Sequence, residues 1–184
     1  MRKALILMYH RIGPVRRKSI VPAQYVTAAA FGRQMRLLTR LGFSVVSLAR
    51  LKDGFEGRTL LPPRPVAITF DDGQSNFHQA ALPLLRATGQ TATVFLVSDL
   101  IGSSNRWDQA DGDLEEPLMN EDQIREAAAS GIDFGSHTRT HPHLHQCAPA
   151  QRWEEIRGSK EALEERFQRP VDFFCYRALC HSRH

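Results

Sequence analysis

Six short apolar or β-branched runs recur along this chain, separated by segments whose apolar residues return every three or four positions. That alternation constrains the fold more than any other feature. Strands linked by helices need crossover connections, and those produce a mainly parallel sheet, open or closed into a barrel. The runs cover residues 4–8, 43–48, 65–70, 91–97, 132–136 and 171–176. Between them, Thr27 is placed to cap a helix bearing Phe31, Met35 and Leu38 on one face, with Gly42 to end it. Phe77, Ala81, Leu84 and Leu85 mark a second helix closed by Gly89, and Asn120 with Gln123 makes a capping-box start to a third ending at Gly131. Residues 149–167 read as a fourth, with Trp153, Ile156, Leu163 and Phe167 on one side and solvated Arg157/Glu161 and Lys160/Glu164 pairs. Residues 52–65 read as a surface loop, and residues 102–117 as a long polar segment carrying Trp107.

The 184 residues suit one domain at the usual ~150 per domain. A hydrophobic share of 42% and a charged share of 24% exclude disordered and collagenous classes. Three cysteines, at 147, 175 and 180, are too few for a disulfide framework or a four-cysteine zinc cluster. The net charge of +4 is a mild excess that implies no nucleic-acid partner, and Arg16-Arg17-Lys18 reads as a solvated loop. The N-terminal apolar stretch, residues 4–8, is shorter than the ~7–15 residues of a signal peptide, and no run nears the ~18 needed to span a bilayer. The expectation is a cytoplasmic chain with no transmembrane segment.

Histidine is the unusual component: four of the eight fall between His137 and His145. Asp71-Asp72-Gly73, directly after a strand, is by itself an ordinary turn sequence. His137 and His141 are four apart, but Pro142 disfavours helical geometry at His141, so the pair spans a strand end and its loop. Taken together the two clusters say more. Both follow strands, and parallel α/β folds gather their chemistry at the C-terminal ends of strands. Two imidazoles and one carboxylate make a facial metal-ligand set with open positions, and a second carboxylate beside it can serve as general base. A two-histidine, one-carboxylate iron oxygenase is a competing chemistry, but it leaves Asp71 without work.

Thr69–Gly73 (TFDDG) and Ser136–Leu144 (SHTRTHPHL), with LMYHRI at 7–12 and NEDQIREAAASGIDFGSHT at 120–138, resemble the polysaccharide deacetylases of the NodB-homology type, carbohydrate esterase family four. The resemblance covers residues 1–176 and leaves 177–184 as an unrelated tail. It implies a distorted (β/α) barrel, incomplete at the C-terminus, and a metal-dependent hydrolase that removes N-acetyl or O-acetyl groups from a polysaccharide or glycolipid. Carried over, Asp71 is the general base and Asp72, His137 and His141 hold the metal, with zinc the default and cobalt, nickel or iron alternatives. Thr69 and Thr138 are supporting rim residues. His10, Trp107 and Tyr176 are substrate-side candidates, His143 and His145 solvated loop residues, and Cys175 a core residue. Arg177 stands where the family has proline, and the later tryptophan and leucine-x-histidine motifs, the latter bearing the general acid, are absent. A truncated or frame-shifted chain, impaired in catalysis and left with unpaired barrel edges, is therefore expected; the alternative function is a non-catalytic remnant that binds metal and perhaps glycan.

Overall fold

The run PVAITF has polar character only at Thr69, so it can be covered on both faces. In the computed structural model, which describes residues 3–177, it forms strand β5 (Pro65–Phe70) and is buried at every position. β1 (Leu5–Tyr9) pairs with it in parallel, from Leu5 opposite Val66 to Tyr9 opposite Phe70. On the other side β4 (Ser44–Val45) pairs with its start and β6 (Thr93–Leu96) with its end. β7 (Asp133–Ser136) lies beyond β6, also in parallel. A separate parallel pair joins β2 (Arg11–Ile12) to β3 (Tyr25–Val26). The expected α/β fold with a parallel sheet is present, and among the described residues the sheet does not close on itself. β1 is one of its edges, with Leu5, Ile6 and Met8 exposed.

The first three expected helices form where the capping and spacing signals place them. Thr27 accepts a hydrogen bond from Ala30 N–H at the start of α1 (Ala28–Arg40), whose Phe31, Met35 and Leu38 are buried. A π-turn (Phe77–Ala81) leads into α3 (Leu82–Thr88), which ends at Gly89 with φ of 61°. Asn120 and Gln123 make the reciprocal capping box of α5 (Glu121–Ala129). Tyr9, Phe31, Phe70 and Phe77 pack together beneath β1 and β5, with ring centroids 4.7–5.6 Å apart along the cluster. Each such aromatic contact adds ~0.5–1.5 kcal/mol beyond area burial, which fixes the ends of the two strands that lead to the site.

Four expectations are corrected. The strand expected through Leu48 stops at Val45, because Ser47 accepts from Arg50 N–H and caps α2 (Leu48–Phe55), which takes the first residues of the expected 52–65 loop. The polar 102–117 segment contains a short helix, α4 (Arg106–Ala110). The fourth helix is not continuous: α6 (Pro149–Trp153) and α7 (Ser159–Phe167) flank a π-turn (Glu154–Gly158) that rotates the buried face. Trp153 is therefore 62% exposed, while Glu155 and Ser159 are buried with Leu163. The last expected strand is reduced to one parallel bridge, Ser136 to Phe174, flanked by Ser136 N–H to Phe173 O and Cys175 N–H to Ser136 O. Among the described residues no helix is long and apolar enough to cross a membrane.

Candidate metal centre

Parallel register puts the C-terminal ends of β1, β5 and β7 on one rim, so His10, the Asp71-Asp72 pair and His137 are delivered to the same place. The β1–β5 ladder continues past the strand, with Asp71 N–H donating to Tyr9 O at 2.9 Å. Asp72 and Gly73 then turn through left-handed φ values of 72° and 68°. Side chains that would alternate in a strand can both enter one pocket from such a turn. A Cβ on Gly73 would meet Leu96 Cδ2 at 2.9 Å, so the close approach to β6 and the left-handed φ both require glycine there.

Asp72 Oδ1 lies 3.3 Å from His137 Nε2 and 3.2 Å from His141 Nε2, and the two Nε2 atoms are 3.1 Å apart. All three residues are buried. Three donors at about 2.0–2.1 Å from a common centre, in tetrahedral directions, are themselves about 3.3 Å apart. The triangle therefore fits a divalent ion, and the two-nitrogen, one-oxygen donor set suits zinc among others. Asp71 Oδ1 and His141 Nδ1 are buried polar atoms with no partner among the described residues.

The surrounding contacts orient the three side chains. His137 N–H donates to Leu96 O at 2.9 Å, and its Nδ1–H donates to Cys175 O at 2.8 Å, which turns Nε2 inward. Cys175 was expected in the core. It is half-buried instead, because the last segment runs along the rim, and its thiol sits 3.6 Å from Asp71 Oδ2. His141 N–H donates to the Thr138 hydroxyl oxygen at 2.9 Å. Trp107 is 8% exposed and its ring lies 4.1 Å from the His141 ring, centroid to centroid. The indole thus walls the His141 imidazole.

Among the described residues, three of the five non-glycine residues with left-handed backbone are at this site: Asp72, Thr138 and His141. Such conformations cost of order 1–3 kcal/mol each and persist where the surroundings over-determine them.

Charge and burial set the protonation of the cluster. Burial alone would push the His137 imidazole down, but the Asp72 carboxylate and the Cys175 carbonyl outweigh it and raise it to about 10. Burial would raise the Asp72 carboxyl, yet the two imidazoles hold it well below the ordinary range. His141 is pushed down by burial, against the pull of Asp72. Burial pushes the Asp71 carboxyl up, partly countered by His137 and His10.

His10 Nε2 stands 3.9 Å from Asp71 Oδ2 and is partly open to solvent. The next residue, Arg11, is fully buried; its guanidinium donates to Asp108 Oδ2 at 2.5 Å and Asp113 Oδ2 at 2.8 Å, tying the Trp107-bearing segment to β2. Sequence reasoning missed this buried arginine, because a single Arg after histidine carries no periodic signal. Thr69 is buried within β5, opposite Thr93. Tyr176 is exposed directly after Cys175. His143 and His145 face each other in the loop beyond the triangle, at 5.6 Å between rings. His181 and His184 lie outside the described residues.

The chain is similar to several known proteins. Over 111 residues the chain is 32% identical to a putative polysaccharide deacetylase, YxkH, of Bacillus subtilis, covering 60% of this chain and 36% of that protein. It is 34% identical over 100 residues to a chitin deacetylase of Colletotrichum lindemuthianum, covering 54% and 36% of the two chains. It is 29% identical over 117 residues to the poly-beta-1,6-N-acetyl-D-glucosamine N-deacetylase of Escherichia coli K12, covering 61% and 17%. The chain thus spans about a third or less of the length of these relatives. A solved polysaccharide deacetylase from Bacillus cereus superposes with a TM-score of 0.73 at 28% identity, over 94% of this chain and 50% of that one. The Streptococcus pyogenes deacetylase PplD gives 0.79 at 24% identity, over 94% and 73%, which shows the shared fold. Residues 60–184, well over half of the sequence, match the family model described as Polysaccharide deacetylase, and on that match and these likenesses the chain belongs to the polysaccharide deacetylase family.

Proposed function

We propose that this chain hydrolyses the acetamide of N-acetylated amino sugars in a polysaccharide, with a divalent ion, zinc by default, held by Asp72, His137 and His141. The observation that carries the reading is the 3.1–3.3 Å triangle of their donor atoms with the Asp71 carboxylate on the same rim. The chemistry such an ion supplies is polarisation of a carbonyl and acidification of water. Asp71 accepts the proton of the attacking water, a role helped by burial that raises its basicity. His10, beside Asp71 at the end of β1, donates a proton to the departing amine nitrogen, so that the C–N bond breaks to give acetate and a free amino sugar. On this reading the acid comes from the end of the N-terminal strand, and the absent motif near the C-terminus is not its source. Cys175 O and Trp107 keep the two imidazoles turned toward the ion. Tyr176, exposed beside the rim, is a residue a sugar could contact.

The relatives act, by name, on chitin and on poly-β-1,6-N-acetyl-D-glucosamine, so oligomers of each are the substrates to try. Acetate release is measured with the zinc-loaded chain and with Asp72→Asn. Release by the wild type alone is expected; equal release from both, or none from the zinc-loaded wild type, refutes the proposal.

A further inference from the structure

The loop joining the two histidines passes through left-handed backbone at Thr138 (φ 69°) and His141 (φ 66°), so something outside it must hold it. Its carbonyls are held from one side: Ser98 N–H donates to Thr138 O and Asp99 N–H to Arg139 O. Two of its N–H groups, those of Arg139 and Thr140, are held from the other side by a single carboxylate. Glu155 Oε2 accepts from the backbone N–H of Arg139 at 2.8 Å and of Thr140 at 2.9 Å, and Oε1 accepts from the Thr140 hydroxyl at 2.7 Å. Glu155 is 6% exposed. Among the described residues it forms no ion pair with a cationic side chain; the Arg139 guanidinium turns instead to Asp99 and Glu154.

The sequence Glu154-Glu155 looks like a solvated helix face, and only the π-turn changes that. By widening one turn it places Glu155, Ser159 and Leu163 on the buried side and sends Trp153 outward. Ser159 bonds through its hydroxyl to Ser136, the residue before His137. One helix face therefore grips the chain on both sides of the first imidazole.

We propose that Glu155 is a positioning residue of the metal centre, its carboxylate fixing loop 138–141 so that His141 meets His137 and Asp72 around one ion. The inference rests on the metal-dependent reading above, and Glu155 itself touches neither ion nor substrate. Losing an outer partner of this kind weakens metal affinity by about 10–100-fold.

The test uses the full chain, with zinc affinity measured against a chromophoric chelator, the visible spectrum of the cobalt-loaded protein, and folding followed by circular dichroism. Glu155→Ala should bind zinc about 10–100-fold more weakly and show an altered cobalt spectrum. Glu155→Gln should stay close to wild type, since its carbonyl can accept both N–H groups while its amide donates to the Thr140 hydroxyl. A folded Glu155→Ala with wild-type zinc affinity and cobalt spectrum, even if less stable, overturns the proposal by reducing Glu155 to a structural role. If that variant does not fold, Thr140→Val at its exposed position removes one of the three bonds; weaker zinc binding supports the proposal and unchanged binding overturns it. A wild-type chain that binds neither zinc nor cobalt overturns the metal centre itself, a result distinct from the failure of Glu155 alone.

Discussion

Arg11→Met tests whether the wall of the site is held by one buried charge. The guanidinium is fully enclosed and donates to Asp108 at 2.5 Å, Asp113 at 2.8 Å and the Tyr25 hydroxyl at 3.2 Å. Methionine fills much of the volume but leaves both carboxylates without their cation. Removing one partner of a buried pair costs about 3–5 kcal/mol, against a typical domain stability of about 5–15 kcal/mol. Asn105 Nδ2 still donates to Asp108 and Ile20 N–H to Asp113, which keeps the loss within that range. The pH dependence has a definite sign. Burial would raise the Asp113 carboxyl, but Arg11 and the Ile20 amide outweigh it and hold it below the ordinary value. In the wild type Asp113 therefore contributes stability above its unfolded pKa, and this is lost as pH falls through the folded value. In the variant both carboxyls move up, so their penalty is largest near neutrality and fades in acid. Urea denaturation at pH 7 and near pH 4 should show a deficit that narrows on acidification, and adding Asp108→Asn and Asp113→Asn should recover most of it. A loss below about 1 kcal/mol at pH 7, or one that grows in acid, refutes the reasoning.

Three further outcomes are expected. Asp71→Asn should keep zinc affinity while slowing acetate release by about 10²–10⁴-fold, and lost zinc binding would show Asp71 to be a ligand instead. His10→Gln should slow amide hydrolysis by about 10²–10⁴-fold but leave hydrolysis of 4-nitrophenyl acetate nearly unchanged, because a phenolate leaves without being protonated; equal losses on both substrates refute the acid assignment. Trp107→Ala should cost about 3–5 kcal/mol of stability and, where still folded, weaken zinc binding on the order of 10-fold by freeing the His141 ring, checked by chelator competition; unchanged affinity would show the indole to be packing alone.

Local patterns carried the fold far. The apolar run at 65–70, the Thr27 and Asn120 caps and the glycines at 42, 89 and 131 act over a few residues, and each appears where the sequence puts it. The Asp-Asp and His-x-x-x-His clusters were legible for the same reason, since each lies at the end of a strand. What the sequence could not supply was which distant groups meet. The pairing of β1 with β5 brings His10 beside Asp71, and the bridge at Phe174 carries Cys175 O to His137. Arg11 finds partners about a hundred positions away, and a π-turn makes Glu155 a buried anchor where period alone makes it a surface acid. Periodicity and turn chemistry are local, so they determine elements and their ends. Long-range register and the rotation of one helix decide which polar groups are enclosed together, and enclosure gives those groups their chemistry.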